Sequence, residues 1–497
     1  MGAGSLYILF PVLLSYILVF YHALSISRKT KNNIPIVKHS RFLPDWINRR
    51  IFFLNAPAQI QYGYDKYNNM PFLVLRPDHD LLVLPARYLA EIRQVPSSRL
   101  NLIEAEYNNI LGDYTNILKE SELAGTTVLR KLTPAMSRIL PRTMQELQHA
   151  SDVEVPPCSD GWVSINLYTV ILRLVARVAS SVVFSDETCR NETWINTMIS
   201  YSDNLGPTIV LLRPTPEFLR PLVSRFIPSV NRLKQQLRWV QEELIVPTVT
   251  ARRAAQAVNP DGPKPDDFLQ WMMDIAANDI DRDPRKIAQS LLIVTAVGMM
   301  HTSTMLITHA LYDLLSHPEC FDPLRQEIKD TLPQGWINAT VAAFAAQEKL
   351  DSVLRESLRL NPPAEVSTQR IAKDKFTFSD GFTIPEDVQV CFPSGPVARD
   401  PAFLPDAHVY DAFRWCRDPE ASKKTLVSIN TTNFHFGYGR LACPGRFFSS
   451  NTMKAVLSRF IAEYDMRFES EHQARPANLR FGEQIMPSMW TKVLIQV

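Results

Sequence analysis

The chain has no C-x-x-C pair: its six cysteines (Cys158, Cys189, Cys320, Cys391, Cys416 and Cys443) stand singly along 497 residues. That scatter excludes a zinc ribbon, a thioredoxin-type centre and a dense disulfide framework, and it suits a reducing compartment. Nor is there a long block of like charge. Lysine and arginine number 53 against 51 acidic residues, a net charge of +2, so a nucleic-acid partner has no electrostatic footing. Glycine is sparse, 16 residues against 36 prolines, which predicts stiff loops between elements rather than flexible linkers. No repeat, low-complexity tract or Gly/Ser linker divides residues 40 to 497, so one large domain is expected there.

Charge is also missing from Gly2 to Ser27, where Leu6 to Ile26 forms an apolar run long enough to cross a bilayer as one helix. Arg28, Lys29 and Lys31 follow at once. A cleavable signal peptide would carry basic residues before a shorter apolar core and then a small-residue site, and neither is present. The expectation is therefore an N-terminal transmembrane anchor over 1–27, a basic and proline-containing hinge over 28–45, and the main domain over 46–497. By the positive-inside rule the main domain faces the cytosol, so the sequons at Asn191, Asn338 and Asn430 should stay unmodified.

The main domain reads as mainly α with small β-sheets. Apolar residues recur at helical spacing over Val163 to Phe184, Ser229 to Val246 and Arg285 to Leu315, with prolines at or near the ends. Two short hairpins are expected, Phe72 to Leu75 with Leu81 to Leu84 and Phe376 to Phe378 with Phe382 to Ile384, each around a polar turn. The stretch Gly206 to Val230 mixes large apolar residues with Arg and Pro. It could dip into a lipid surface, but a helix-loop-helix packed inward is the preferred reading.

The most informative stretch is Asn433 to Phe448, NFHFGYGRLACPGRFF. Gly437-x-Gly439-x-x-Ala442 mimics a dinucleotide fingerprint, but only some fifty residues remain after it, too few for the further strand-helix units such a domain needs. A thiolate at a helix N-terminus fits better. Cys443 precedes Pro444-Gly445 and a helical run, so the helix dipole and loop amides can hold a sulfur anion and lower its pKa. The glycines would let backbone approach a flat cofactor closely, and Phe436 would cover one face of the sulfur. In these residues the chain resembles the cytochrome P450 superfamily, and within it the secondary-metabolism members of filamentous fungi. Phe436, Gly439, Cys443 and Gly445 fall at the positions of its haem loop, with Cys443 as the metal ligand. The place two before the cysteine, usually Arg or His and a partner of a haem propionate, is Leu441, so neighbouring Arg440 is the candidate substitute.

Three further motifs carry the same resemblance. Glu356 and Arg359 lie three apart before Asn361-Pro362-Pro363, and Arg414 follows in an Asp-Ala-Phe-Arg segment. The resemblance makes them a buried structural triad rather than catalysts. Arg370 matches a position that pairs with a propionate. The helix from Arg285 to Leu315, roughly 45 Å long at about 1.5 Å per residue, carries Thr302 where the family has an oxygen-activating threonine. Its usual acidic neighbour is replaced by His301. For His301, a proton relay and a packed, neutral core histidine both stay open.

The resemblance implies a haem with an axial Cys443 thiolate, favouring O–O cleavage, and oxidation of an apolar small molecule of terpenoid type. It further implies electrons from an NADPH-cytochrome P450 reductase, cytochrome b5 as a further donor, and single-pass residence in the endoplasmic reticulum membrane. Ala296, Val297, Met300, Val366 and Met486 are the candidate pocket walls. Two rivals stand beside the monooxygenase: a haem-thiolate isomerase or dehydratase working without reductase, and a membrane-tethered haem sensor without turnover.

Overall fold

Asp283, Pro284 and an unbroken apolar periodicity start a helix that runs from Pro284 to Leu315. The Asp283 carboxylate accepts from the Arg285 amide at 2.8 Å, and Pro284 takes a first-turn place where its missing N–H is not needed. From Val294 to His301 the backbone bonding widens to a π-type turn before the helix resumes at Thr302. Among the described residues this is the one helix long and apolar enough to cross a membrane, but 67% of its apolar window is buried inside the protein, so it is a core helix. The computed structural model describes residues 34–67, 69–417, 424–470 and 474–497. The expected anchor lies outside them. The described part of the expected 28–45 hinge holds the strand Ile36–Val37 and the first residue of the helix Asp45–Tyr67.

Helices dominate, with four small sheets among the described residues. The largest sheet has the order Ile36–Val37, Phe72–Leu75, Asp80–Val83, Gln389–Phe392, Ser367–Ala372, Leu100–Asn101. Both expected hairpins are present, with Phe72 opposite Val83 and Phe376 opposite Ile384. The main core gathers around the long helix, and two smaller apolar clusters fill the space against the large sheet.

Three sequence expectations change. Val163–Asn166 is a strand, not helix: Ile165 pairs with Val493, and Asn166 caps the helix Leu167–Val183 by accepting from the Thr169 amide at 3.0 Å. Pro247 does not end its helix. A π-type turn over Val240–Ile245 absorbs the lost N–H, and the helix continues as Val246–Val258. The stretch 206–230 does not pack wholly inward. Leu212, Ile227 and Val230 are buried, but Leu211, Phe218, Leu222 and Phe226 face outward, Phe226 with 78% of its surface exposed.

Candidate cysteine-centred active site

The loop before the helix Arg446–Glu463 is shaped by two left-handed glycines, Gly437 (φ 79°) and Gly439 (φ 70°). An L side chain is strained in that region. The turn returns the Cys443 amide to the Phe436 carbonyl at 2.7 Å and the Gly437 amide to the Phe434 carbonyl at 2.9 Å. A Cβ on Gly439 would lie 2.8 Å from the Arg93 carbonyl oxygen, so the neighbouring chain, rather than a flat cofactor, demands glycine there. Gly445 has more room: its Cβ would meet only Val128, at 3.9 Å.

The Cys443 sulfur accepts from the Gly445 and Arg446 amides at the start of that helix. Burial pushes its pKa up, against the downward pull of these amides and of the Arg446 guanidinium. The loop amides thus act in the direction the sequence suggests, but burial outweighs them. A bound cation would tip the balance to thiolate. The cysteine is closely surrounded yet still accessible, which suits it to hold a metal.

The long helix packs on the cysteine helix and presents a narrow accessible stripe in an otherwise buried surface. Ile293, Val294, Val297, Gly298, His301 and Thr302 form it, at successive spacings of four. Ala296 and Met300 lie on the far side, both fully buried, and so do not wall an open space. Val366 is likewise buried, in the cluster with Phe72, Val74 and Cys391, while Met486 is half-buried. The Thr302 hydroxyl donates to the Gly298 carbonyl at 3.0 Å. Burial lowers the His301 pKa to about 4, and its ring has no hydrogen-bond partner among the described residues. It is neutral at neutral pH.

Glu356 is fully buried and binds both arginines that the spacing singled out. Arg359 donates to it through Nε (2.9 Å) and Nη2 (2.7 Å), Arg414 through Nε (3.2 Å), and the Trp415 indole at 3.1 Å. The arginines' other donors end on backbone carbonyls of residues 398 to 409, including Ala398 and Pro405. The cluster thus ties the helix Glu348–Leu360 to a long irregular segment. Arg370 is buried and donates to the Gln369 carbonyl at 2.6 Å. Burial lowers its pKa to about 10, partly offset by Glu106, and it forms no ion pair among the described residues. A buried guanidinium without an ion-paired carboxylate, together with an accessible cysteine sulfur at a helix start, fits a haem with its acidic side chains. Arg440 is exposed, with its amide reaching the Arg93 carbonyl at 3.4 Å.

Sequence reasoning missed two charged features. Glu106, on the helix Leu102–Asn109, keeps accessible surface but is crowded by neighbours that include Arg370 and Arg76, and the loss of water around it raises its pKa. Arg76 and Arg213, both buried, meet Asp78 and Glu483: Arg76 Nε lies 3.3 Å from Glu483 and 3.6 Å from Asp78, and Arg213 Nε 3.5 Å from Asp78. This cluster borders a cleft of about 380 Å³ that includes Asp78, Glu217 and Gln389. The only local signal was the polar Arg76-Pro77-Asp78-His79-Asp80 turn. Nothing in the spacing points to Arg213 or Glu483.

Comparison with known proteins agrees with this geometry. The family model described as cytochrome P450 matches residues 120–491. The chain is 43% identical to cytochrome P450 monooxygenase paxP of Penicillium paxilli over 97% of its own length and 93% of that protein's. With cytochrome P450 monooxygenase penP of Penicillium crustosum it shares 42% identity over 98% and 94% of the two chains. The solved structure of retinoic acid-bound cyanobacterial CYP120A1 covers 94% of this chain and all of that one, with a TM-score of 0.68 and 18% identity, a likeness of fold alone. A cysteine held at the start of a helix that packs against a long core helix, in a chain matched so fully, leaves one conclusion: the protein belongs to the cytochrome P450 family and is a haem-thiolate monooxygenase.

Proposed function

We propose that the enzyme oxidises an apolar small molecule, of the terpenoid type found among fungal secondary metabolites, using electrons from a membrane-bound NADPH-cytochrome P450 reductase, with cytochrome b5 as a second donor. The observation that carries this is the Cys443 sulfur, held by two amides yet accessible, on a helix that packs against the long helix with its accessible stripe. The bound haem supplies iron on which dioxygen is reduced, so that one oxygen atom enters the substrate and the other leaves as water. Cys443 holds the metal, and the amides of Gly445 and Arg446 steady the charge on its sulfur. Arg370 is the buried cation for a haem carboxylate, with Arg440 a second, exposed one. Thr302 places its hydroxyl over the accessible space, tied to the Gly298 carbonyl. His301, neutral at working pH, can pass a proton by accepting on one ring nitrogen while releasing from the other.

Val297 and Gly298 form the near wall of the pocket, with Ile293 and Val294 beyond them. The outward apolar residues of 211–226 and the apolar sequence of Leu6 to Ile26 support attachment to the endoplasmic reticulum membrane, with the enzyme on its cytosolic side. The origin of the relatives in filamentous fungi agrees with the substrate class.

The test is the carbon monoxide difference spectrum of the purified protein and of Cys443→Ser, followed by turnover of terpenoid substrates with reductase and NADPH. A thiolate-type spectrum lost in the variant, with product formed only when NADPH and oxygen are both present, is expected. Turnover without reductase or oxygen would instead identify an isomerase or dehydratase.

A further inference from the structure

A second cleft, of about 680 Å³, lies far in sequence from the cysteine, beside the N-terminal strand and helix. The helix Asp45–Tyr67 departs from helical geometry at Asn55 (φ −141°), two residues before Pro57. Asn55 and Gln59 form part of the wall at this kink, and the opposite wall is Lys38, His39 and Arg41, with Lys66 at one end. Among the described residues no carboxylate lines the cleft. Lys66 Nζ donates to the Tyr62 hydroxyl at 3.0 Å and lies over that ring, while Arg41 covers Phe42 and Lys38 pairs with Asp45 at 2.6 Å outside the cleft. A second observation is independent of the charge. Gln59 is only 5% exposed, and its Nε2 donor has no acceptor. A buried donor without an acceptor is costly, so the wall is incomplete until an acceptor arrives.

The surroundings say where that acceptor comes from. Phe42 (83% exposed), in the turn before this helix, and Leu54 (79%), on the helix itself, project outward. Arg50 ties this helix to the Pro214 carbonyl at 3.3 Å, within the stretch that shows Leu211, Leu222 and Phe226 to the outside. In sequence, Ile36 follows the apolar run ending at Ile26 by ten residues, with Arg28, Lys29 and Lys31 between. Apolar side chains that dip into lipid beside a donor-lined basic cleft place that cleft at headgroup depth.

We infer that the cleft formed by Lys38, His39, Arg41, Gln59 and Lys66 binds the phosphate headgroup of an anionic membrane phospholipid. The inference rests on the membrane attachment proposed above. It adds a lipid-composition dependence that an apolar anchor alone does not produce.

The test floats the full-length haem-loaded protein with phosphatidylcholine vesicles and with vesicles that also contain phosphatidylserine. Wild type should bind the anionic vesicles more tightly. Arg41→Gln with Lys66→Gln should lose that preference by about fivefold per basic group removed, with binding to phosphatidylcholine unchanged. Gln59→Met keeps the buried volume and removes the donor, and should lower the preference by about threefold. An unchanged carbon monoxide spectrum shows that each variant is folded. Binding to phosphatidylcholine with no anionic preference, or a preference equal in all variants, overturns the lipid site and leaves attachment standing. Wild type that floats with neither vesicle overturns attachment, and the lipid site with it. If inorganic phosphate, at ionic strength matched with chloride, raises the melting temperature of wild type but not of Arg41→Gln/Lys66→Gln while vesicle composition makes no difference, the cleft takes soluble phosphate and the lipid assignment falls.

Discussion

On the cysteine side of the site, the contacts that hold Cys443 come from within seven residues of it: the Phe436 carbonyl and the Gly445 and Arg446 amides. On the long-helix side, the accessible stripe from Ile293 to Thr302 is set by packing against the helices Leu167–Val183 and Glu192–Leu212, and a buried cluster elsewhere joins Arg76, Asp78, Arg213 and Glu483 from separate segments. The first side is backbone geometry, strict at Gly437 and Gly439, where the left-handed backbone and close neighbours leave no place for a side chain. The second is a meeting of side chains from segments far apart in sequence. The difference is one of range: the cysteine is held by local contacts, and the charged cluster and the exposed stripe are set by packing across the chain.

Breaking the local side should have the largest effect. Cys443→Ser should abolish the thiolate-type carbon monoxide spectrum and turnover while leaving helical content by circular dichroism intact. Next comes Glu356→Gln, which strands Arg359 and Arg414 around a neutral side chain. A loss of about 3–5 kcal/mol in urea unfolding is expected, together with poor haem incorporation. Thr302→Ala removes the hydroxyl tied to Gly298. Product formed per NADPH consumed should fall by about 10²-fold, with the carbon monoxide spectrum unchanged. Gly439→Ala puts a Cβ into left-handed backbone against the Arg93 carbonyl, costing at least about 1–2 kcal/mol in thermal unfolding. By contrast, Gly445→Ala should cost less, because its Cβ meets only Val128.

The smallest effect sharpens the comparison on the distal side. The folded-state pKa of His301 is depressed to about 4, below its ordinary value of 6.5. Its contribution is therefore present above pH 6.5 and is lost as pH falls from there toward about 4, because the unfolded chain takes up the proton first. His301→Asn should remove that part of the pH dependence, so the gap in melting temperature between wild type and variant should shrink on acidification. A gap that is the same at pH 7.5 and pH 5 would show that His301 titrates normally.

Much of the cysteine side was legible beforehand because its contacts are close in sequence. The spacing of Phe436, Gly439, Cys443 and Gly445 specifies one loop, and that of Glu356 and Arg359 specifies one helix face. Even there, what each glycine is for was not legible, since Arg93, the neighbour that forbids a side chain at Gly439, lies more than three hundred residues away. On the long helix the periodicity revealed a buried element but not which side opens inward. Ala296 and Met300 are as apolar as Val297, and only the packing of the helix Leu167–Val183 and its neighbours decides which of them face the core. The strand Val163–Asn166 was hidden for the same reason: its partner, Lys492–Gln496, lies at the other end of the chain.

By itself, then, the order of residues determined the helical class, the cysteine loop ahead of the helix Arg446–Glu463 and the pairing of Glu356 with its arginines. In each case the decisive interactions are short-range in the chain or carried by a motif of fixed spacing. Only tertiary structure decided the walls of the pocket, the Arg76–Asp78–Arg213–Glu483 cluster and the basic cleft around Gln59. Each of these depends on burial and on charges brought together from separate segments, and neither property is written in local periodicity.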